Sequence, residues 1–266
     1  MLKKKAFAIV LTSLSLSLAA CSAHATQEAA PSKKDKPEVK KEKTHWSYNG
    51  SEKWGDLDPS YAACANGKEQ SPIDIEASQV KTNQDANDIK FNYKKTSFSV
   101  SNNGHTILDY PASNDDIIMA GKKYKLVQFH FHTPSEHQFN GKNFDMELHL
   151  VHQDAKGHTI VLGIMIKEGQ ENQALDDIWA QLPKEKTKEA VKIDKPVDLM
   201  SLLPKDKKSF RYNGSLTTPP CTEKVKWVVF KQPIEMSKTQ IRVFRNIFPD
   251  NHRPVQAVNK REIIEK

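Results

Sequence analysis

The chain has 266 residues, of which 37% are hydrophobic and 27% charged, with 14 Pro and 10 Gly. This composition is ordinary for a folded soluble protein and excludes a collagen-like or wholly disordered chain. A net charge of +7 would suggest a nucleic-acid or membrane surface if it were spread along the chain. Residues 1–43 carry +5 of it and the other 223 residues carry only +2, so we predict no nucleic-acid partner.

The first 25 residues have the pattern of an export signal. A basic start, Met1–Lys5, precedes an apolar run of 15 residues, Ala6–Ala20, which is shorter than the roughly 20 residues that span a bilayer. Two processing routes remain open. Cleavage after Ala25 would make residues 1–25 the signal peptide, whereas a lipobox-like Leu18–Cys21 would limit the signal to residues 1–20 and make Cys21 a lipid anchor. We expect a periplasmic or extracellular protein, tethered to a membrane in the second case.

A second region, residues 26–43, is rich in Ala, Pro, Lys and Glu and has almost nothing to bury. It is predicted to be a charged, flexible linker. From residue 44 onward there is no internal repeat and no further linker, so we interpret residues 44–266 as one folded domain.

The three cysteines leave one pair for a disulfide. Cys21 lies in the leader, so Cys64 and Cys221 remain, in a compartment that permits disulfides. We predict that they are bonded, the alternative being two buried thiols. The closed loop would contribute up to about 5 kcal/mol to stability, and the bond would fasten the Leu216–Pro220 loop to the N-terminal part of the domain.

Eight β-rich runs, separated by clusters of Gly, Pro, Asn and Asp, predict a sheet built largely of neighbouring strands. The predicted strands are Ile89–Tyr93, Ser97–Ser101, Thr106–Tyr110, Lys125–His132, Phe144–His152, Thr159–Lys167, Phe210–Tyr212 and Val225–Lys231. Helical spacing predicts a helix over Ala174–Leu182, and a capping box at Ser237–Gln240 predicts another. The sequence contains no glycine-rich phosphate loop, serine nucleophile elbow or CxxC motif, which disfavours nucleotide, hydrolase and redox functions.

Three histidines on two predicted strands form a candidate metal site. Strand alternation puts Gln128, His130 and His132 on one face. The same alternation puts Glu147, His149 and Val151 on one face of the next strand. If the two strands pair antiparallel, His149 lies opposite the other two histidines.

Three neutral imidazoles would leave the fourth tetrahedral position of a Zn²⁺ ion open, as expected of a catalytic site rather than a structural one. Gln128 and Glu147 are natural acceptors for the second ring N–H of the ligands. His152 points away from His149 and His158 lies in a turn, so both are predicted at the surface.

Several segments of the domain resemble α-class carbonic anhydrases. These are His45–Tyr48, Gln70–Ile75, Asn102–His105, Gln128–His137, Gly214–Cys221 and Asn251–Pro254. The resemblance implies a mainly β fold with peripheral helices around a large, mostly antiparallel, twisted sheet. It also implies the reversible hydration of carbon dioxide to bicarbonate and a proton by zinc-bound hydroxide. The expected partner is therefore a small molecule, and a homodimer is left open.

The resemblance further implies roles for individual residues. Thr217 would accept a hydrogen bond from the hydroxide and donate to Glu136, and Thr218 would line the bicarbonate side. Carbon dioxide would lie against an apolar wall formed by Val151, Val161, Leu216 and Trp227.

The resemblance also identifies His105 as a proton shuttle, with Tyr48 and Asn103 ordering the intervening water. Leu108 stands where many family members have a polar residue, which makes the effect on proton transfer an open question. His137 matches a position in a structural hydrogen-bond network near Glu136.

Two other functions compete with this hypothesis. A cupin-like metalloenzyme is suggested by the spacing of His130, His132 and Glu136, but Met146 stands where the second cupin motif requires glycine. A non-catalytic carbonic-anhydrase-like binding domain typically lacks a ligand, whereas all three histidines are present here.

Overall fold

The structure is a computed structural model that describes residues 45–266. The predicted signal peptide, both cleavage routes, the linker and the anchor at Cys21 lie outside the described residues. Among the described residues, no helix is both long and apolar enough to cross a membrane.

A 12-stranded sheet forms the centre of the described residues. The strands are β1 Asp74–Ile75, β2 Val80–Thr82, β3 Ile89–Asn92, β4 Lys95–Asn102, β5 Ile107–Pro111, β6 Asp116–Met119, β7 Lys122–His132, β8 Gln138–Phe139, β9 Met146–Gln153, β10 Thr159–Glu168, β11 Val191–Asp198, β12 Ser209–Ser215, β13 Glu223–Met236 and β14 Ile263–Glu265. The main path runs β11-β4-β5-β7-β9-β10-β13-β12-β14-β2, and β3 joins it through β6, which pairs with β7.

Most neighbouring strands are antiparallel. The exceptions are β10 with β13 and β14 with β2, together with the separate two-residue pair β1 and β8. All eight predicted strands are present, with shifted ends, and the expected mainly β, mostly antiparallel architecture is confirmed.

The sheet buries a hydrophobic cluster on each face. Phe129 and Phe131 of β7 and Leu148 and Leu150 of β9 belong to the larger cluster. The smaller cluster, on the opposite face, includes Val151, Val161, Met165, Tyr212 and Trp227. Burying a large apolar side chain contributes about 1.5–3 kcal/mol, so the larger cluster fixes which face of β7 and β9 is left for polar groups.

The helices lie outside the sheet and are short. They are α1 Trp54–Leu57, α2 Ala62–Asn66, α3 Asp176–Trp179 and α4 Lys238–Ile247, with short 3₁₀ turns between. The predicted capping box is present at α4, because Gln240 N donates to Ser237 Oγ at 3.2 Å and Ser237 N donates to Gln240 Oε1 at 3.1 Å.

The helix predicted over residues 174–182 is largely wrong. Only a 3₁₀ turn, Gln173–Leu175, and α3 form there. Pro183 follows immediately and disfavours a helical conformation in the residue before it. The apolar face is nevertheless buried, so its packing was predicted better than its backbone.

Six strands were not predicted, and most are short or at an edge of the sheet. β11 shows why: it is the terminal strand of the path, only Ile193 and Val197 are buried, and it contains Pro196. An edge strand tolerates proline and exposure on both faces, so it lacks the pattern that identifies a buried strand.

Cys64 and Cys221 form a disulfide with a Cα–Cα distance of 5.1 Å, as the cysteine count predicts. It joins α2 to the residues that follow the Leu216–Pro220 loop.

The prediction that His152 lies at the surface is wrong. Its side chain is fully buried, with Nδ1 donating to Leu150 O at 3.0 Å and Nε2 accepting from the Tyr93 hydroxyl at 2.7 Å. β9 is a central strand covered on both faces, so alternation moves a side chain between two interiors rather than into solvent. His158 is exposed in its turn, as predicted.

The burial of His152 predicts an acid-sensitive stability. Burial lowers its pKa to about 3, whereas an unfolded histidine titrates near pH 6.5. Between these values the unfolded chain binds a proton that the folded chain does not. As the pH falls from about 6.5 towards 3, this group should therefore lower the free energy of unfolding by about 1.4 kcal/mol per pH unit. His152→Gln should flatten the decline by about that slope in denaturant titrations of the metal-free protein.

His158→Gln is the matched control. His158 is exposed, and its contact with Asp154 at 2.7 Å lowers the pKa of Asp154 to about 2. Its removal should therefore change the slope only below about pH 4 and leave the decline between about pH 4 and 6.5 as it is. An unchanged slope in His152→Gln would contradict the assignment.

Candidate metal centre

The pairing of β7 with β9 brings the three candidate histidines together. His130 lies directly opposite His149, and His132 lies opposite Glu147. The ring centroids are 4.9 Å apart for His130 and His132, 5.2 Å for His130 and His149, and 4.6 Å for His132 and His149. One ring nitrogen from each lies within 4.8 Å of the other two, so a single ion can contact all three.

Two of the rings are oriented by the acceptors that the sequence suggested. His130 Nδ1 is 2.8 Å from Gln128 Oε1, and His149 Nε2 is 2.8 Å from Glu147 Oε1. An acceptor fixes the proton on the nitrogen that faces it. His130 Nε2 and His149 Nδ1 are therefore left with lone pairs.

The third ring is oriented by a residue to which the sequence analysis assigned no role. His132 Nδ1 donates to Asn251 O at 2.6 Å. The Asn251 side chain donates to Phe131 O at 3.0 Å and to His105 O at 3.2 Å. Because the acceptor is a main-chain carbonyl that is distant in sequence, no residue pattern reveals it.

His132 Nε2 is buried and has no hydrogen-bond partner within residues 45–266. Buried polar atoms are nearly always satisfied, so such a nitrogen requires an explanation. A metal ion bound by the three histidines supplies one, and the donor set therefore fits a metal.

The protonation state of the rings also suits a metal ligand. Burial lowers the pKa of His130, His132 and His149, that of His132 to about 3. The imidazoles are therefore neutral at physiological pH, the form that binds metals.

A second cluster, formed by His137, Glu147 and His149, is better explained as a hydrogen-bond network. Glu147 Oε1 accepts from His137 Nδ1 at 2.7 Å and from His149 Nε2 at 2.8 Å. Glu147 Oε2 accepts the main-chain N–H groups of Glu136 and His137. Although burial raises the pKa of Glu147, the two histidines lower it well below its usual range. The charged carboxylate thus orients His149, and His137 has the structural position expected of it.

The absence of a side chain at Gly163 avoids a steric clash with the Glu147 carboxylate. Gly163 lies opposite His149 in β10, and a Cβ atom there would be 2.9 Å from Glu147 Oε1. Any side chain there would force the hydrogen-bonded Glu147 carboxylate to shift, and no pattern in the sequence indicates this constraint.

Thr217 and Glu136 meet beside the triad. Glu136 is fully buried and its Oε2 lies 3.5 Å from His132 Nε2. Burial raises the pKa of Glu136, while hydrogen bonds from the Thr217 side chain and from Arg253 N, the latter at 2.8 Å, lower it. A divalent cation nearby would further favour the ionised form.

The loop that carries Thr217 is held by the disulfide and by Arg253, which the sequence analysis also left without a role. Arg253 donates to Gln70 Oε1 at 2.8 Å and to Cys64 O at 3.0 Å. Gln70 in turn donates to Cys221 O at 3.1 Å. These contacts tie both halves of the cystine to the C-terminal segment.

The suggested apolar wall lies in one row across three strands. Val151 of β9 is opposite Val161 of β10, which is opposite Trp227 of β13. Leu216 packs against the same cluster. The Trp227 ring centroid lies 4.9 Å from that of His149, so the wall borders the triad; Thr218 is half-buried in the adjacent loop.

His105 is half-buried and stacks on Trp46, with ring centroids 3.7 Å apart and an interplanar angle of 8°. Burial lowers its pKa, and the neighbouring His45 and Lys186 side chains lower it further. Asn103 Oδ1 accepts the main-chain N–H of His105 at 2.8 Å. The same oxygen also accepts the main-chain N–H of Thr106 at 2.9 Å, so only the amide N–H₂ of Asn103 remains for water.

Two other predicted residues lie at the triad. The Tyr48 hydroxyl is buried without a hydrogen-bond partner among the described residues, and its ring centroid is 6.4 Å from that of His132. Leu108 pairs directly with His130 across β5 and β7. The departure from the family pattern is therefore next to a candidate ligand.

The chain is similar in sequence and fold to known proteins. The family model for eukaryotic-type carbonic anhydrases matches residues 49–266. A carbonic anhydrase of Neisseria gonorrhoeae is 43% identical over 227 residues, which are 84% of this chain and 88% of the relative. One of Klebsiella pneumoniae is 43% identical over 228 residues, 84% and 91% of the two chains.

Among solved structures, the α-carbonic anhydrase of Thermovibrio ammonificans in complex with the inhibitor sulfanilamide superposes with a TM-score of 0.80 at 42% identity. The match covers 84% of this chain and 100% of that one.

The two clusters predict different responses of metal content to mutation. If His130, His132 and His149 hold the ion, His132→Ala should lose most of about one bound divalent ion per chain, whereas His137→Gln should keep it. Elemental analysis of the purified proteins by mass spectrometry measures this. Retention in His132→Ala with loss in His137→Gln would assign the ion to the other cluster.

Proposed function

The chain belongs to the eukaryotic-type, or α-class, carbonic anhydrase family, and we propose that it hydrates carbon dioxide reversibly with one Zn²⁺ held by His130, His132 and His149. The observation that carries the proposal is the convergence of three ring nitrogens whose partner nitrogens are each bonded to an acceptor. Three neutral imidazoles suit zinc and leave one tetrahedral position for water.

When bound, zinc acts as a Lewis acid that lowers the pKa of water to about 7, the value for carbonic anhydrases themselves, and so provides a nucleophile near neutral pH. The protein's own residues then orient water, hold the substrate and move the proton.

Thr217 orients the attacking water. A hydroxyl has one proton to donate, and Thr217 gives it to Glu136. The threonine oxygen must therefore accept from the water at the open position. That water keeps its remaining lone pair for the carbon atom of carbon dioxide.

Carbon dioxide is apolar and is held by the row of Val151, Val161 and Trp227, with Leu216 beside it. The same side chains exclude competing water from the position next to the triad. Thr218 lines the side on which bicarbonate leaves.

His105 carries the proton away. Direct release from a group of pKa about 7 would limit turnover to about 10³ s⁻¹, even at a diffusion-limited reprotonation rate of about 10¹⁰ M⁻¹ s⁻¹. An imidazole that accepts the proton and passes it on to buffer removes this limit. Burial lowers the pKa of His105, which favours the neutral ring that can accept the proton. Tyr48 and the amide N–H₂ of Asn103 would hold the connecting water, while Leu108 contributes no polar group to it.

The enzyme is proposed to act outside the cytoplasm. The export pattern of residues 1–25 supports this, and the Cys64–Cys221 disulfide is typical of an oxidising compartment. Lipidation of Cys21 and formation of a homodimer are further proposals, which are based on the sequence only.

The proposed orientation by Thr217 predicts a loss of catalysis without a loss of metal. Wild-type protein should hydrate carbon dioxide in a stopped-flow assay and be inhibited by sulfanilamide. Thr217→Ala should lower kcat/KM by about 100-fold, the scale of removing one preorganised hydrogen bond, with zinc retained. Loss of zinc would make Thr217 structural.

Iron or manganese in the wild type, or zinc without activity, would favour the competing functions.

The proposed shuttle predicts a separable effect of His105→Ala. Steady-state hydration should slow towards about 10³ s⁻¹, because proton release becomes limiting. Exchange between carbon dioxide and bicarbonate at chemical equilibrium, which needs no net proton release, should be nearly unchanged. Small imidazole buffers should restore the rate. His158→Ala, at an exposed histidine, is the control, and loss of equilibrium exchange in His105→Ala would refute the role.

A further inference from the structure

A second cavity, of about 940 Å³, lies where β12, β13 and β14 meet the segment that follows β2. None of the three candidate metal ligands lines it, and neither does Thr217. Trp227, which borders the triad, is the residue of the apolar wall that also lines this cavity. Its volume is within the range of about 300–1,000 Å³ typical of small-molecule sites.

The lining of this cavity carries an excess of positive charge. The cations are Lys68, Arg211, Lys226, Lys260 and Arg261, and the acids are Glu69, Asp85 and Glu262. Glu262 is paired with Lys81 at 2.7 Å. Within residues 45–266, none of the five cations has a carboxylate within ion-pair distance.

Arg261 is fixed in place by main-chain carbonyls. Its Nε, Nη1 and Nη2 donate to Val258 O at 2.9 Å, Asn213 O at 3.0 Å and Ala257 O at 2.7 Å. One N–H on each terminal nitrogen remains, and the guanidinium lies over the Tyr212 ring at 5.4 Å. The group is thus preorganised but not saturated.

Arg211 is held in a similar way from the other side. Its Nε donates to Ser209 Oγ at 3.3 Å and its Nη1 donates to Asn87 O. Its Nη2 has no acceptor among the described residues. Burial lowers the pKa of both arginines, although Asp88 raises that of Arg211, and Glu69 and Glu223 raise that of Arg261. These carboxylates lie beyond ion-pair distance, so they offset only part of the cost of half-burying a cation.

An organic anion would offset that cost. Guanidinium groups match the geometry of phosphate and carboxylate oxygens. Apolar surface from Met119, Tyr212 and Ile264 also lines the cavity, so a ligand with an aromatic or aliphatic body would bury area that inorganic phosphate cannot. We propose that this cavity is a second, non-catalytic binding site for a small organic phosphate or carboxylate, separate from the metal centre.

The test uses full-length purified protein saturated with sulfanilamide, so that anions bound at the metal centre do not contribute. Inorganic phosphate, 1-naphthyl phosphate and 1-naphthoate are titrated at constant ionic strength, by calorimetry and by amide chemical shifts. We expect saturable binding of the naphthyl compounds, tighter than that of inorganic phosphate, with shifts at Arg211, Tyr212 and Arg261. The two naphthyl compounds distinguish phosphate from carboxylate as the preferred group.

Charge variants complete the test. Lys226→Glu changes an exposed residue, so the variant should fold. It should weaken binding of the naphthyl compounds at least about tenfold, and Arg211→Gln should weaken it by a similar factor. Lys192→Glu, an exposed site on β11, controls for overall charge and should not matter. No saturable binding, equal weakening by Lys192→Glu, or no preference for the naphthyl compounds would overturn the proposal. The readouts do not depend on turnover. If the catalytic proposal fails and sulfanilamide does not bind, the same titrations of His132→Ala, which lacks a candidate metal ligand, still test the second cavity.

Discussion

The antiparallel register between β7 and β9 is the constraint on which the candidate metal centre depends. It places His130 opposite His149 and His132 opposite Glu147. A slip by one residue would turn His149 to the opposite face of the sheet and break the triad. The apolar residues on either side of His149 prevent this, because Leu148 and Leu150 of β9 would lose their places in the larger cluster. Core packing on one face thus specifies ligand geometry on the other.

Hydrogen bonds then determine which nitrogen of each ring is free. Gln128, Glu147 and the Asn251 carbonyl each fix one N–H, so the remaining nitrogens converge. Leaving a buried acceptor unsatisfied costs about 1–3 kcal/mol, and metal binding contributes far more than that. Without an ion, the buried acceptor nitrogens therefore destabilise the folded protein locally. An ion bound to them removes this destabilisation, so neutral imidazoles that are already oriented favour metal binding.

The sequence predicted those parts of the site that depend on short-range periodicity. Alternation along a strand has a period of two, so it placed the histidines and the acceptors two residues before His130 and His149. It failed where the determinant is distant or carries no side chain. The Asn251 carbonyl and the space at Gly163 are of this kind.

Other failures concern burial. His152 was misplaced because alternation gives the two faces of a strand but not what covers them. The helix over residues 174–182 was misjudged because apolar spacing outweighed Pro183. The edge strand β11, with little buried surface, gave almost no signal.

Hydrogen-bond completeness separates structural polar groups from those open to a ligand. His137 and His152 are as buried as the candidate ligands, yet both of their ring nitrogens are bonded. His132 Nε2 and the Tyr48 hydroxyl are not.

A single unbonded atom is insufficient evidence. Asp109 also lacks partners among the described residues, but it lies opposite Phe129 on β5, and burial raises its pKa, which favours the neutral acid. What distinguishes a ligand site is several incompletely bonded groups around one space. The three histidines meet that condition around one ion position, and Arg211 and Arg261 meet it around the second cavity.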